Sequence, residues 1–286
     1  LQEAVAACET ITRLRARNFH YGLRLTPPEK RWAMYAVYAW MREADDLVDD
    51  AQRDPSQRVQ RLQDYRAATD AALAGRAETG TPALVALAEA ARRFQLKPQE
   101  FHDMLEGQAS DLSPARFETW PQLKRFCYQV AGTVGLVCIR IWGFDHPDAP
   151  RLAIERGIAF QLTNILRDFR EDMDCGRCYL PLQEFQAMEL TPEAVRAWSA
   201  PDRCREFIRA QCRRARSHYE RSAPLDGMID AACLPTLWAM TEIYRSVLDK
   251  IEADPRLTVR GRARLSALRK VWIGLRARRV HAGTAP

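Results

Sequence analysis

Residues 164–174 read NILRDFREDMD, with acids and arginines packed together where a helix is expected. In a helix, side chains four apart share a face. Asn164, Asp168 and Asp172 therefore form one column, with Glu171 beside it. Ile158, Leu162, Ile165, Leu166 and Phe169 mark the other side of this helix as buried, so the column lies close to the core and not on an ordinary wet face. Asparagine is uncharged, but its carbonyl oxygen is a good ligand for a hard cation. A solvated face gives little reason to place it there.

A second acidic patch ends the segment 38–50, YAWMREADDLVDD. Helical spacing puts Asp45 above Asp49 and Asp46 above Asp50, and like charges at that spacing repel. Alone, this patch reads equally well as a solvated helix end that Arg42 helps to neutralise. Two facing helices that each present such columns make a site for divalent cations, and oxygen-only ligands select Mg²⁺ or Mn²⁺ over zinc. Magnesium shares its coordination with substrate phosphates, so a diphosphate substrate follows. Arg42, Arg167, Arg170 and Arg177 lie in or beside the patches and could bind phosphate oxygens bidentately, although for one or two of them neutralising the neighbouring acids is the whole role.

Helical periodicity dominates the rest of the chain, and strand-length alternation is hard to find, which predicts an all-α fold. Breaks carrying proline or glycine fall at 26–30, 53–57, 75–82, 96–99, 111–117, 143–150, 174–177, 189–194, 199–202 and 221–227. Between them lie about ten segments of helix length. Thr26 and Thr191, each followed by proline, read as N-caps. No repeat, low-complexity tract or long linker divides the chain, so 1–286 is expected to be a single domain. In YQVAGTVGLVCI (128–139), Gly132, Thr133 and Gly135 interrupt an apolar helix and mark close helix packing; beside a diphosphate site, a groove for a hydrocarbon tail is the alternative.

Composition bounds the rest. The chain has 286 residues, a net charge of +6 and a pI near 9.0, which suit an anionic partner without choosing one. Eight scattered cysteines read as buried small side chains, and the lone Cys175-Gly-Arg-Cys178 as two incidental thiols. No apolar run approaches the roughly 20 residues of a membrane span, and no secretory signal opens the chain, so a cytoplasmic protein is expected. In the basic stretch 259–280, Leu265, Leu268, Val271, Trp272 and Leu275 recur at helical spacing. They predict a final helix docked by that face with arginines outside; peripheral membrane contact is the second reading.

Three motifs carry a resemblance to the squalene and phytoene synthase family of head-to-head prenyltransferases: Asp45-x-x-x-Asp49, YQVAGTVG at 128–135, and QLTNILRDFREDMDCGRCYLP at 161–181. The resemblance runs from about Ala16 to the last helix. It implies an isoprenoid-synthase helical bundle around a central cavity, with two aspartate-rich motifs facing each other across its mouth. It also implies that two identical prenyl diphosphates are joined through a cyclopropylcarbinyl diphosphate. Carried onto this chain, Asp45, Asp49, Asn164, Asp168 and Asp172 would coordinate Mg²⁺. Arg42, Arg167 and Tyr244 match diphosphate-contacting positions. Tyr38, Phe19, Tyr21, Ala131, Gly135, Gln161 and Tyr179 match positions in the pocket, with Tyr38 and Phe19 able to face a carbocation. The chain departs from the pattern at Asn18, where relatives carry serine but where asparagine can still bond a phosphate oxygen. It departs again at His20, and at Phe126, where relatives often carry tyrosine, with Tyr128 two residues away.

The likeness leans to the C15 route, with farnesyl diphosphate giving presqualene diphosphate or squalene; phytoene from geranylgeranyl diphosphate is the alternative. NADPH use stays open, since the chain has no GxGxxG. A scaffold that has lost catalysis would be expected to lose its aspartates first, and both columns are intact. Nucleic-acid binding through the basic tail lacks a recognised module and leaves the columns unexplained.

Overall fold

Proline sets many of the helix starts, because its fixed φ suits the first turn and its missing N–H is not needed there. The computed structural model describes residues 1–15, 20, 22–50, 52–77, 80–112 and 116–280, so Asn18, Phe19 and Tyr21 lie outside the described residues. In chain order the helices are α1 (Gln2–Arg15), α2 (Pro28–Val48), α3 (Pro55–Leu73), α4 (Pro82–Phe94) and α5 (Pro98–Ala109). Then come α6 (Trp120–Cys127), a π-helical turn (Tyr128–Gly132) and α7 (Thr133–Trp142), which run on from one another. The longest, α8 (Ala149–Asp174), precedes α9 (Leu182–Ala187), α10 (Pro192–Ala197), α11 (Pro201–Arg221), α12 (Leu234–Ala253), α13 (Leu257–Arg260) and α14 (Ala267–Ala277). The fold is all-α: among the described residues the only extended pairings are the isolated bridges Arg116–Cys178 and Phe144–Ile229.

Among the described residues the predicted breaks fall between helices or at their ends. Thr191 caps α10, its hydroxyl accepting from the Ala194 amide at 3.1 Å. Thr26 does not cap α2. Pro27 holds the N-cap position without a side-chain bond, and the buried Thr26 hydroxyl instead meets that of Thr236 at 3.0 Å. A buried hydroxyl must find a partner, and here a distant helix provides it.

Two groups of buried side chains flank the centre. One collects Trp40, Leu87, Phe101 and Met104 with the inner faces of α1 to α5 and α7; the other collects Leu166, Phe185, Phe207 and Leu248 with those of α6 and α8 to α12. Phe160 of α8 packs against both. Ile158, Leu162, Ile165, Leu166 and Phe169 are all buried, as their spacing predicted. Seven of the eight cysteines are buried; Cys175 is exposed, and Cys178 donates to the Leu180 carbonyl at 3.7 Å.

Glycine lets α8 pack directly on α7 and on the π turn before it. A Cβ on Gly157 would stand 2.3 Å from the Ala131 carbonyl oxygen, and one on Gly135 would stand 2.5 Å from that of Ala153. Close packing therefore accounts for Gly135, and the π turn at 128–132 sits where the two helices meet.

The last helix departs from expectation. Ile273 and Ala277 of α14 are buried, with Leu265 and Val280 beside its ends, whereas Leu268, Val271, Trp272 and Leu275 are exposed. Apolar spacing showed that a helix forms there but not which of its faces would be turned to the body.

Gly157→Ala should lose about 1–3 kcal/mol, because backbone and not a flexible side chain blocks the added methyl. Gly274→Ala, in open space on α14, should gain up to about 1 kcal/mol from helix propensity. Urea unfolding of the two variants checks both signs.

Candidate active site

The helices enclose a cavity of about 880 Å³. Its chemistry is graded along the helices that line it. On α2 the lining residues run Met34, Val37, Tyr38, Met41 and Asp45, the i, i+3, i+4 pattern of one helix face, from apolar to acidic. On α8 they pass from Ala153 and Gly157 through Phe160 and Gln161 to Asn164, Asp168 and Asp172. At 1.5 Å per residue, Ala153 and Asp172 lie roughly 28 Å apart along the axis. The cavity is thus acidic at one end and mainly apolar at the other, where Arg156 also reaches the lining but is taken up by Ser222, Thr241 and Asp226.

The two acid columns meet at the acidic end. Arg177, just after α8, donates to Asp49 at the end of α2 at 3.2 Å. Asp45 accepts from the Gln108 amide of α5 at 2.7 Å. Its side chain opens to the cavity but is surrounded by protein; that burial, with Asp49 nearby, pushes its pKa up to about 6 despite Arg42 and Gln108. Asp172 is pushed up to about 7 by burial and by Asp168. Asp168 is the best compensated: Arg167 donates to it at 2.8 Å through Nε, and Arg262 pairs with it at 2.8 Å.

Several expected residues line the cavity: Tyr38, Asp45, Ala131, Gly135, Gln161, Asn164, Arg167, Asp168, Asp172, Tyr179 and Tyr244. Arg42 and Asp49 do not. Arg42 donates to Asp46 at 2.6 Å, the neutralising role foreseen for one or two of the arginines, and Asp49 faces Arg177. Arg170 points away, donating to the Arg260 carbonyl at 2.7 Å. Phe126 lines the cavity and stacks on Tyr179 at 5.2 Å. Tyr128 supplies no hydroxyl in its place, because its OH donates to Asp103 at 2.7 Å, outside the lining. The hydroxyl beside Phe126 is that of Tyr179, which donates to Asp111 at 2.9 Å.

Gln108, Asp111 and Arg262 also line the cavity and were missed. Gln108 carried one faint signal, a polar residue in register with buried Met104 and Leu105. Arg262 gave none, being one arginine in a basic tail.

The donor set fits a hard cation shared with an anionic ligand. The carbonyl oxygen of Asn164 is buried and has no hydrogen-bond partner, as has that of Gln108. Buried acceptors left so are costly unless a donor or cation satisfies them. Among the described residues no three of His, Cys, Asp or Glu converge closely enough to hold an ion by themselves. An ion here would draw part of its coordination from ligand oxygens, as Mg²⁺ commonly does.

Comparison with known proteins identifies the family. The sequence pattern of the squalene/phytoene synthase family spans residues 12–269. The chain belongs to this family. Its members are prenyl transferases that use divalent metal to bind prenyl diphosphates. The chain is similar to 15-cis-phytoene synthase of Synechococcus elongatus, 35% identical over 95% of this chain and 91% of that one. It is similar to phytoene synthase of Mycobacterium tuberculosis, 36% identical over 97% and 91%. Among solved structures it resembles a dehydrosqualene synthase in complex with ligand, with a TM-score of 0.87 and 28% identity over 97% and 96% of the two chains. Squalene synthase HpnC from Alicyclobacillus acidocaldarius gives 0.81 and 26% over 88% and 94%.

Gln108→Ala removes the donor that orients the Asp45 carboxylate. Prenyl-transfer turnover should fall about 10–100-fold, with a thermal midpoint close to that of the parent; steady-state assay and thermal unfolding measure the two.

Proposed function

We propose that this chain condenses two prenyl diphosphates head to head through a cyclopropylcarbinyl diphosphate, with Mg²⁺, or Mn²⁺ in its place, held at the acidic end of the cavity. The observation that carries this reading is the graded wall: carboxylates and arginines at one end and a long apolar lining at the other match a substrate with a diphosphate head and a hydrocarbon tail. Asp45, Asn164, Asp168 and Asp172 would hold the metal from the cavity wall, with Asp49, one turn on from Asp45 and now paired with Arg177, as the fifth ligand. A cation held by these side chains would supply Lewis-acid neutralisation of the leaving diphosphate.

The chain's own residues do the rest. Arg167, whose guanidinium also reaches Tyr244, is placed at the acidic end where its fork would bind diphosphate oxygens bidentately. Tyr244 is held by stacking on Phe160 at 4.6 Å. Loss of diphosphate from an allylic carbon leaves a carbocation, and the apolar walls from Met34 to Met41 and around Phe160 keep water from it. Tyr38 and Phe160 can turn aromatic faces to the charge. The departed diphosphate accepts the proton that is lost.

For the tail we favour C20, giving phytoene. The relatives at 35% and 36% identity are named phytoene synthases, whereas the squalene-side structures are 28% and 26% identical. Phytoene formation from two C20 diphosphates balances by loss of two diphosphates and two protons and needs no NADPH; reduction to squalene would need it. The C15 route, to which the sequence leaned, is the second reading, favoured by the TM-score of 0.87 to a dehydrosqualene synthase.

Incubation with geranylgeranyl or farnesyl diphosphate and Mg²⁺, with and without NADPH, followed by mass spectrometry, tests the reading. A C40 product without NADPH is expected, a C30 product selects the second reading, and silence of folded protein with both substrates overturns both. Asp168→Asn should lower turnover on the order of a thousandfold or more while leaving the fold intact, and chelation should abolish activity until Mg²⁺ is restored. Full activity in that variant would remove the metal assignment.

A further inference from the structure

We propose that α14 docks this protein on an anionic bilayer surface. Leu268, Val271, Trp272 and Leu275 are 84%, 59%, 42% and 58% exposed. They stand at i, i+3, i+4 and i+7, which is one face of a helix. The opposite side, through Ile273 and Ala277, is seated on the body. The helix is therefore fixed in place with a second apolar face turned outward. Scattered apolar residues on a surface need no explanation, but four in register on one helix do.

The charge around this face selects the occupant. Between Pro255 and Val280 the chain carries nine Lys or Arg and no acid, against a net charge of +6 for the whole, so the remainder is net negative. The guanidinium groups of Arg269 and Arg276 lie over Trp272, 4.4 and 5.2 Å from its ring centroid. A second copy of the chain, pairing this face with itself, would bring two such basic segments together, and they would repel. A nucleic acid would satisfy the arginines but leave Leu268 and Leu275 in water. Anionic lipid satisfies both, with headgroups on the arginines and the four apolar side chains in the headgroup–acyl boundary. No helix among the described residues is long and apolar enough to cross a membrane, so the contact is peripheral.

The same segment forms part of the cavity wall, through Arg262, Ala263, Arg264, Leu265 and Lys270. Leu14, 65% exposed, lines that cavity as well. A bilayer on the outer face of α14 thus adjoins the cavity, and a hydrocarbon product would pass between the two without crossing bulk water. That transfer rests on the prenyl-condensation reading; the docking does not.

Flotation of the full chain with phosphatidylcholine vesicles, with and without phosphatidylglycerol, tests the docking without any turnover. Binding is expected only to the anionic vesicles, weakening as salt is raised. Brominated lipid should quench the wild type more than Trp272→Phe. The triple variant Leu268→Ser, Val271→Ser, Leu275→Ser should bind about tenfold less or weaker while keeping its thermal midpoint. Failure of the wild type to float, unchanged binding by the triple variant, or a dimer at micromolar concentration that the triple variant abolishes would each overturn the proposal. Vesicle binding by a protein silent in the prenyl assay would leave docking standing and remove only the transfer.

Discussion

Carboxylates of like charge have to be held close together at the rim of an apolar cavity, and much of the structure serves that constraint. Burial and mutual repulsion push Asp45 to about 6 and Asp172 to about 7. The columns stay together because other elements supply donors. Gln108 of α5 holds Asp45, Arg177 reaches Asp49 from beyond α8, and Arg262, after α13, joins Arg167 on Asp168. The compensation is incomplete, and the unpartnered carbonyl of Asn164 marks where it stops.

The same helices carry both halves of the cavity. A residue near the N-terminal end of α8 and one near its C-terminal end can share a face yet sit in different environments, so α8 contributes Gly157 to tight packing and Asp172 to the acidic rim. The glycine contacts at 135 and 157 set how closely α7 and α8 approach, and hence where Asn164 and Asp168 stand relative to α2. Helix packing and site geometry are for that reason one problem in this fold.

The C-terminal segment from Arg262 to Ala277 does three things at once. Arg262 compensates an acid of the site, Leu265 and Lys270 wall the cavity, and α14 turns its apolar face outward. Residues so close in sequence take such different roles because the segment crosses from the rim to the surface. Its arginines are consequently not interchangeable: Arg262 meets the site carboxylate Asp168, Arg269 lies over the Trp272 ring with Glu242 at 4.0 Å, and Arg276 lies over the same ring.

Local periodicity determined much by itself. The four-residue spacing of Asn164, Asp168 and Asp172 and the burial of Ile158, Leu162, Ile165, Leu166 and Phe169 follow from the geometry of a single helix, as the breaks follow from proline, and each is legible without knowing what the helix touches. Tertiary structure decided whatever depends on a partner distant in sequence. Thr26 pairs with Thr236 and leaves the cap to Pro27; Gln108 and Arg262 reach the acids from other elements; Tyr128 turns to Asp103; and α14 presents Leu268 and Trp272 to solvent and Ile273 to the body. Helical spacing defines faces but not what packs against them, since an amphipathic pattern shows that a face is apolar and only the assembled neighbours decide which apolar face is covered.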